Sequence, residues 1–182
     1  MNPPEANSTS AVIANPFTAS DVVSILSGKN WLTAEPSAAQ LAWCERAAAL
    51  LRPHAMDRAG LADLLGLLFH YNAREILERV ESHAVLARYA ARDVLRELAL
   101  LLLEGRPLDS DRFKEIITAL KERLEIRGRE LFHPIRLALA GRSGEGELDR
   151  VILLLDEAAV LAFPSPVRSA SERILEFCSG LD

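Results

Sequence analysis

Lys121, Arg123, Arg127, Arg129, Arg136 and Arg142 fall close together in the chain, opposed by Glu122, Glu125 and Glu130. Such side chains donate hydrogen bonds and carry positive charge, the chemistry that holds phosphates and the edges of unstacked bases. Alternating charges also make an ordinary solvated helix face. Arg136 has two open uses. It can aim a fork of donors at a base edge or phosphate, or it can pair with an acidic residue and tie two helices together. His54, just after Pro53, can serve the free carbonyls of a helix end. His70 and Tyr71, following Phe69, suit a base stack or a core cluster. His83 and His133 are isolated, and His133 suits a capping or surface role before Pro134.

Bond-breaking chemistry has no visible set of residues. There is no Gly-x-Ser-x-Gly, phosphate loop, His-Glu-x-x-His or Cys-x-x-Cys,. Asp156 and Glu157 are neighbours and would point in different directions on one helix, a poor acid–base pair. No active site, cofactor or metal is expected.

The elements that must position these residues read as helices. Thr18 or Ser20 begins a helix to about Ser27, and Ser37 caps one that carries Leu41, Trp43, Cys44, Ala48 and Leu51 and stops before Pro53. Asp57 starts another, with Leu61, Leu64, Leu65 and Leu68 at helical spacing. A short helix near Ala73–Val80 places Ile76, Leu77 and Val80 on one side. A long central helix is expected over 82–104, capped by Ser82, lined by Val85, Leu86, Tyr89, Val94, Leu95, Leu98 and Leu102, and ended by Gly105 and Pro107. Asp109 or Ser110 caps the next, which runs to about Ile126 on Phe113, Ile116, Ile117, Leu120 and Leu124 until Gly128 breaks it. Pro134 suits the first turn of a helix ending at Gly141. A helix over 147–161 and a last one over 167–178 follow. No stretch alternates with a two-residue period, so no significant sheet is expected.

The chain's 182 residues and 49% apolar content fit a folded protein with a real core,. The longest apolar run, Leu98–Leu103, is too short to span a membrane. No signal peptide is visible at the N-terminus. Cys44 and Cys178 read as reduced thiols, and a cytoplasmic location is expected. A net charge of −5 argues against strong non-specific nucleic-acid binding unless a local basic face supplies it,. The expected architecture is an all-α helical bundle or cage of about eight helices. A Pro-, Asn- and Ser-rich flexible tail would occupy residues 1–16, one subdomain residues 17–105 and a second residues 106–182.

Residues 132–141 read Phe132, His133, Pro134, Ile135, Arg136, Leu137, Ala138, Leu139, Ala140, Gly141, with Leu148 and Leu153–Leu155 beyond a short polar link. This resembles the signature of the C-terminal anticodon-binding region of bacterial glutamyl-tRNA synthetases. Upstream, Leu50-Leu51-Arg52-Pro53-His54, then Leu61-Ala62-Asp63-Leu64 and Leu68-Phe69, resemble that family's Leu-Arg-Pro-Arg helix end and the helix after it. The resemblance covers roughly residues 37–157. It has no counterpart of the family's catalytic half, with neither a His-Ile-Gly-His-like nor a Lys-Met-Ser-Lys-Ser-like segment.

The resemblance implies a helical cage that binds tRNA or another structured RNA without catalysis, with Arg136, Arg142, Arg129, Lys121 and His54 as its contacts. Arg142–Glu147 would be the anticodon-contacting loop, or simply a solvated connection. Glu145-Gly146-Glu147 replaces the family's proline there, which sets carboxylates against phosphate. His54 stands where many relatives carry an arginine, so a two-pronged contact is lost. The lysine expected beside Glu157 is also missing. Two other roles remain open: a protein-interaction scaffold that kept the fold and lost RNA binding, and an auxiliary subunit docking on a separate catalytic protein.

Overall fold

Short side chains that cap helix ends set the boundaries of most elements. In a computed structural model describing residues 17–182, these elements are α1 (Ala19–Gly28), α2 (Ala38–Leu51), α3 (Arg58–Phe69), α4 (Ala73–Glu78), α5 (Val80–Leu86) and α6 (Ala91–Leu102). They continue with α7 (Ser110–Leu124), α8 (Arg129–Ala140), α9 (Gly146–Ile152), α10 (Leu155–Ala159) and α11 (Ala170–Leu181). Arg52–His54 form a 3-10 turn after α2. Thr18, Ser37 and Ser169 each form a reciprocal capping box, with Asp21, Gln40 and Glu172 respectively,. Asp57, Asn72 and Asp109 cap α3, α4 and α7. The all-α class is as expected, and no strand occurs among the described residues. The expected tail at 1–16 lies outside the described residues.

The helices bury one continuous apolar core. α1 packs on α2; α6 lies against α7, α8 and α11; α9 lies against α2, α3 and α8; and α11 also packs on α4 and α8. The junction at 105/106 lies between α6 and α7, and helices on both sides of it line the same core. Trp31 stacks on Phe69 with centroids 4.8 Å apart, while Trp43 and Phe163 meet Phe69 edge-on. Among the described residues, no helix is long and apolar enough to cross a membrane.

Eleven α-helices form among the described residues against the expected total of about eight, and two of the additions arise where long apolar stretches break without glycine or proline. The expected helix over 82–104 divides at Ala90, which takes φ 61°. For a residue with a Cβ that conformation costs about 1–2 kcal/mol. Tertiary contacts offset it: α5 turns onto α8, Arg88 reaches His133, and α6 is freed to lie across α7, α8 and α11. Ser82 does not cap; it is buried within α5 and donates to the Ile76 carbonyl. Tyr89 and Val80, assigned to apolar faces, are exposed, as is Leu41 on α2.

The expected helix over 147–161 divides at Leu153–Leu154, where the Trp43 indole donates to the Leu154 carbonyl at 3.2 Å. α7 ends at Glu125 in a left-handed conformation (φ 55°), before Gly128. Pro134 lies in the second turn of α8, not the first. Its missing amide leaves over a carbonyl of Glu130, an exposed residue,.

Gly141 ends α8 with φ 86°, and a Cβ there would sit 3.3 Å from Ile76 Cδ1. Gly141→Ala combines left-handed strain with crowding of a buried side chain. It is expected to lower the unfolding free energy by at least about 1–2 kcal/mol. Urea denaturation followed by circular dichroism checks this, and an unchanged midpoint would contradict it.

Candidate nucleic-acid interface

α8, the loop 141–145 and α9 form the hairpin that carries the signature. α8 buries every residue from Pro134 to Ala140, so its polar chemistry is confined to its first turns and to Arg136. Arg136 is itself buried. Its Nε and one Nη donate to the two carboxylate oxygens of Asp149, at 2.8 and 2.9 Å, in a two-pronged pair,. The other Nη donates to the Gly144 carbonyl at 2.7 Å. The guanidinium also lies over the Phe132 ring, 4.8 Å from its centroid,. These contacts tie α8 to α9 and set the loop between them.

Lys121 from α7 approaches the same Phe132 ring at 5.7 Å. Arg129, in the first turn of α8, donates to Glu145 at 3.4 Å in an exposed pair. Lys121, Arg129 and Arg136 therefore meet around Phe132 and Glu145. Arg142 pairs instead with Asp63 on α3 at 2.9 Å. His54 is exposed in the 3-10 turn, and among the described residues no hydrogen bond or ion pair joins it to the others. Arg123 pairs with Glu97 on α6, and Arg127 is exposed.

Several residues that shape this region were not singled out by sequence. Arg79, between α4 and α5, donates to the Gly141 carbonyl at 2.8 Å and so holds the end of α8. Arg88 lies 2.8 Å from Nδ1 of His133. An arginine cannot accept, so His133 accepts there and is the neutral tautomer with its proton on Nε2. Desolvation first, then the positive charge of Arg88, hold the His133 pKa below its ordinary value; Glu145 opposes them.

Arg173 on α11 is wholly buried and donates to the carbonyls of Leu67, Leu68, Leu139 and Arg168 at 2.7–3.2 Å. Its guanidinium lies over the Tyr71 ring at 4.4 Å, and the Tyr71 hydroxyl donates to the Ala138 carbonyl. Tyr71 thus belongs to the core contacts of α8. His70, though exposed, packs its ring edge-on to Trp31. A signal for Arg173 existed: it occupies the buried stripe of α11 with Ala170, Ile174 and Phe177,.

The acidic neighbours Asp156 and Glu157 divide in role. Asp156 accepts from the amides of Leu108 and Ala170, while Glu157 pairs with Arg46 on α2. Among the described residues no group of three or more His, Cys, Asp or Glu is placed to hold a metal ion.

These features define an all-helical domain built around an arginine-anchored hairpin with cations at its rim. The chain belongs to the anticodon-binding domain family, whose family model, described as "Anticodon binding domain", matches residues 19–162. Similar proteins include glutamate–tRNA ligase 2 of Syntrophus aciditrophicus (strain SB), 31% identical over 118 residues, covering 65% of this chain and 24% of that protein. The glutamate–tRNA ligase of Geobacillus thermodenitrificans (strain NG80-2) is 30% identical over 130 residues, covering 71% and 26%. That of Exiguobacterium sibiricum is 29% identical over 131 residues, covering 72% and 27%. The chain therefore spans about a quarter of the length of the curated relatives it matches. No solved structure matches significantly.

Proposed function

We propose that the domain is a non-catalytic RNA-binding module that holds a tRNA at unstacked bases near the α8–α9 hairpin. The observation that carries this is the family match over residues 19–162, which includes the α8–α9 hairpin. Lys121, Arg127 and Arg129 supply charge at its rim, with Arg142 and His54 as more distant contacts. Arg136 serves by holding the loop, since both prongs of its fork are engaged by Asp149.

Binding is expected to weaken roughly tenfold or more between low and physiological salt, because such affinity comes from displaced counterions. Titration of glutamate tRNA and an unrelated tRNA at both salts tests it. Arg129→Glu combined with Lys121→Glu is expected to weaken binding at least tenfold while leaving the melting temperature unchanged. If the wild-type protein binds neither tRNA at either salt, the proposal fails.

One set of observations favours a second reading. Arg123, Arg129 and Arg142 are each paired with a carboxylate of the same chain, and the net charge is −5. A domain whose cations are satisfied internally suits a protein-interaction role. That role requires a specific protein partner and no RNA affinity. A separate catalytic protein as that partner would show itself by aminoacylation that needs both chains.

A further inference from the structure

Glu145 lies in the loop after α8, in the stretch that stands where the resembled signature has a proline, beside two cations of α8. Its carboxylate is 3.4 Å from Arg129 and 3.9 Å from Arg136. His133 stands one turn along α8 from Arg129, on the same face of the helix, and is bonded to Arg88,. Arg88 lies in the turn between α5 and α6, which closes at Ala90, a left-handed residue with no glycine to ease it. Strain held by surrounding contacts often marks a site of recognition.

We propose that Arg88, Arg129 and His133 form a binding site for a phosphate group, closed in this chain by the carboxylate of Glu145. The geometry suits exchange. Arg136 is committed to Asp149 and fixes the loop, while Arg129 and Glu145 are both well exposed and their pair is open to competition,. A phosphate group offers more acceptor oxygens than a carboxylate, and the neutral His133 keeps its Nε2–H as a donor. The arrangement works as an internal competitor: an anionic ligand must displace Glu145. The natural ligand would be a phosphodiester of RNA if the RNA-binding proposal holds, and a free phosphate otherwise.

Histidine proton NMR on the wild-type protein and the Glu145→Gln variant tests this, with His133 assigned by its loss in His133→Gln. Glu145→Gln removes a carboxylate that holds the His133 pKa up, so that pKa is expected to fall. Inorganic phosphate in the millimolar range is then expected to raise it again by about half a unit, as a nearby opposite charge does. The wild type should respond less, and Glu145→Gln combined with Arg129→Gln should respond little. Absence of a phosphate response at His133 in a folded Glu145→Gln protein would overturn the site.

A short single-stranded RNA separates the two sources of phosphate. If RNA is the ligand, Glu145→Gln is expected to bind it about five- to tenfold more tightly than wild type at low salt. A His133 response to phosphate with no binding of this RNA or of either tRNA would keep the site, assign it to free phosphate, and refute the RNA-binding proposal alone.

Discussion

Replacing Arg173 with leucine is expected to lower the unfolding free energy by about 3–5 kcal/mol, among the largest losses available in this fold. Leu67, Leu68 and Leu139 contribute carbonyls from the last turns of α3 and α8, positions that have no partner within their own helices,. One guanidinium serves both helix ends, where the backbone dipoles also favour a positive charge. Among the described residues no carboxylate pairs with it; the partners are carbonyls and the Tyr71 ring. Burial lowers its pKa to about 10, so it stays cationic at neutral pH. Leucine would fill part of the volume and strand buried acceptors. Arg173→Lys keeps the charge on a single ammonium, whose geometry cannot match a planar fork, and is expected to recover less than half of the loss. Thermal melting should show a drop on the order of 10 °C for leucine. A drop of only a degree or two would mean that solvent replaces these contacts at little penalty.

This contact also bears on how the family fold is completed here. The family match ends at residue 162, whereas Arg173 lies on α11. α11 reaches back by three independent means. Arg173 binds α3 and α8, Glu176 accepts from the Ala73 amide at the start of α4, and Asp156 of α10 holds the Ala170 amide at the start of α11. Two further buried arginines also join helices, with carboxylates among their partners: Arg112 links α7 to the Leu101 carbonyl at the end of α6 and pairs with Glu104, and Arg136 links α8 to Asp149 of α9. Short helices leave many orphan carbonyls per residue, and a planar five-donor cation is well shaped to collect them.

Much of the fold was legible because its signals are local. Ser37 with Gln40, Asp57, Asp109 and Gly141 mark helix ends through contacts within a few residues. The apolar spacing of Leu61, Leu64, Leu65 and Leu68 marks a buried face by its period alone. What failed was non-local. Nothing between Leu86 and Ala91 or between Ile152 and Leu155 opposes a helix, so the breaks there arise from packing, which overrides weak propensities. The order and spacing from Phe132 to Gly141 showed which hairpin mattered. They did not show which charges stay free, because that depends on partners distant in sequence. Asp63 lies on α3 yet holds Arg142, and Arg88 lies far upstream of His133.

Arg136→Ala is the second substitution with a large expected effect, and it separates the two uses of arginine that sequence left open. The pair with Asp149 is buried on the arginine side, and the Gly144 carbonyl shares the same cation. Removing one partner of such a pair strands the other, an effect of about 3 kcal/mol. Asp149→Ala is expected to be comparably destabilising, though somewhat less, since a guanidinium keeps the Gly144 carbonyl and the Phe132 ring. The double variant is expected to be no worse than Arg136→Ala alone, the non-additivity that marks a shared interaction. RNA affinity should then fall in the Asp149 variant as well, because the loop loses its support even with the arginine present. The opposite pattern would be decisive in the other direction. If Arg136→Ala melts like wild type and loses RNA binding while Asp149→Ala retains it, Arg136 reads the RNA directly, and the buried pair is a resting state opened by the ligand.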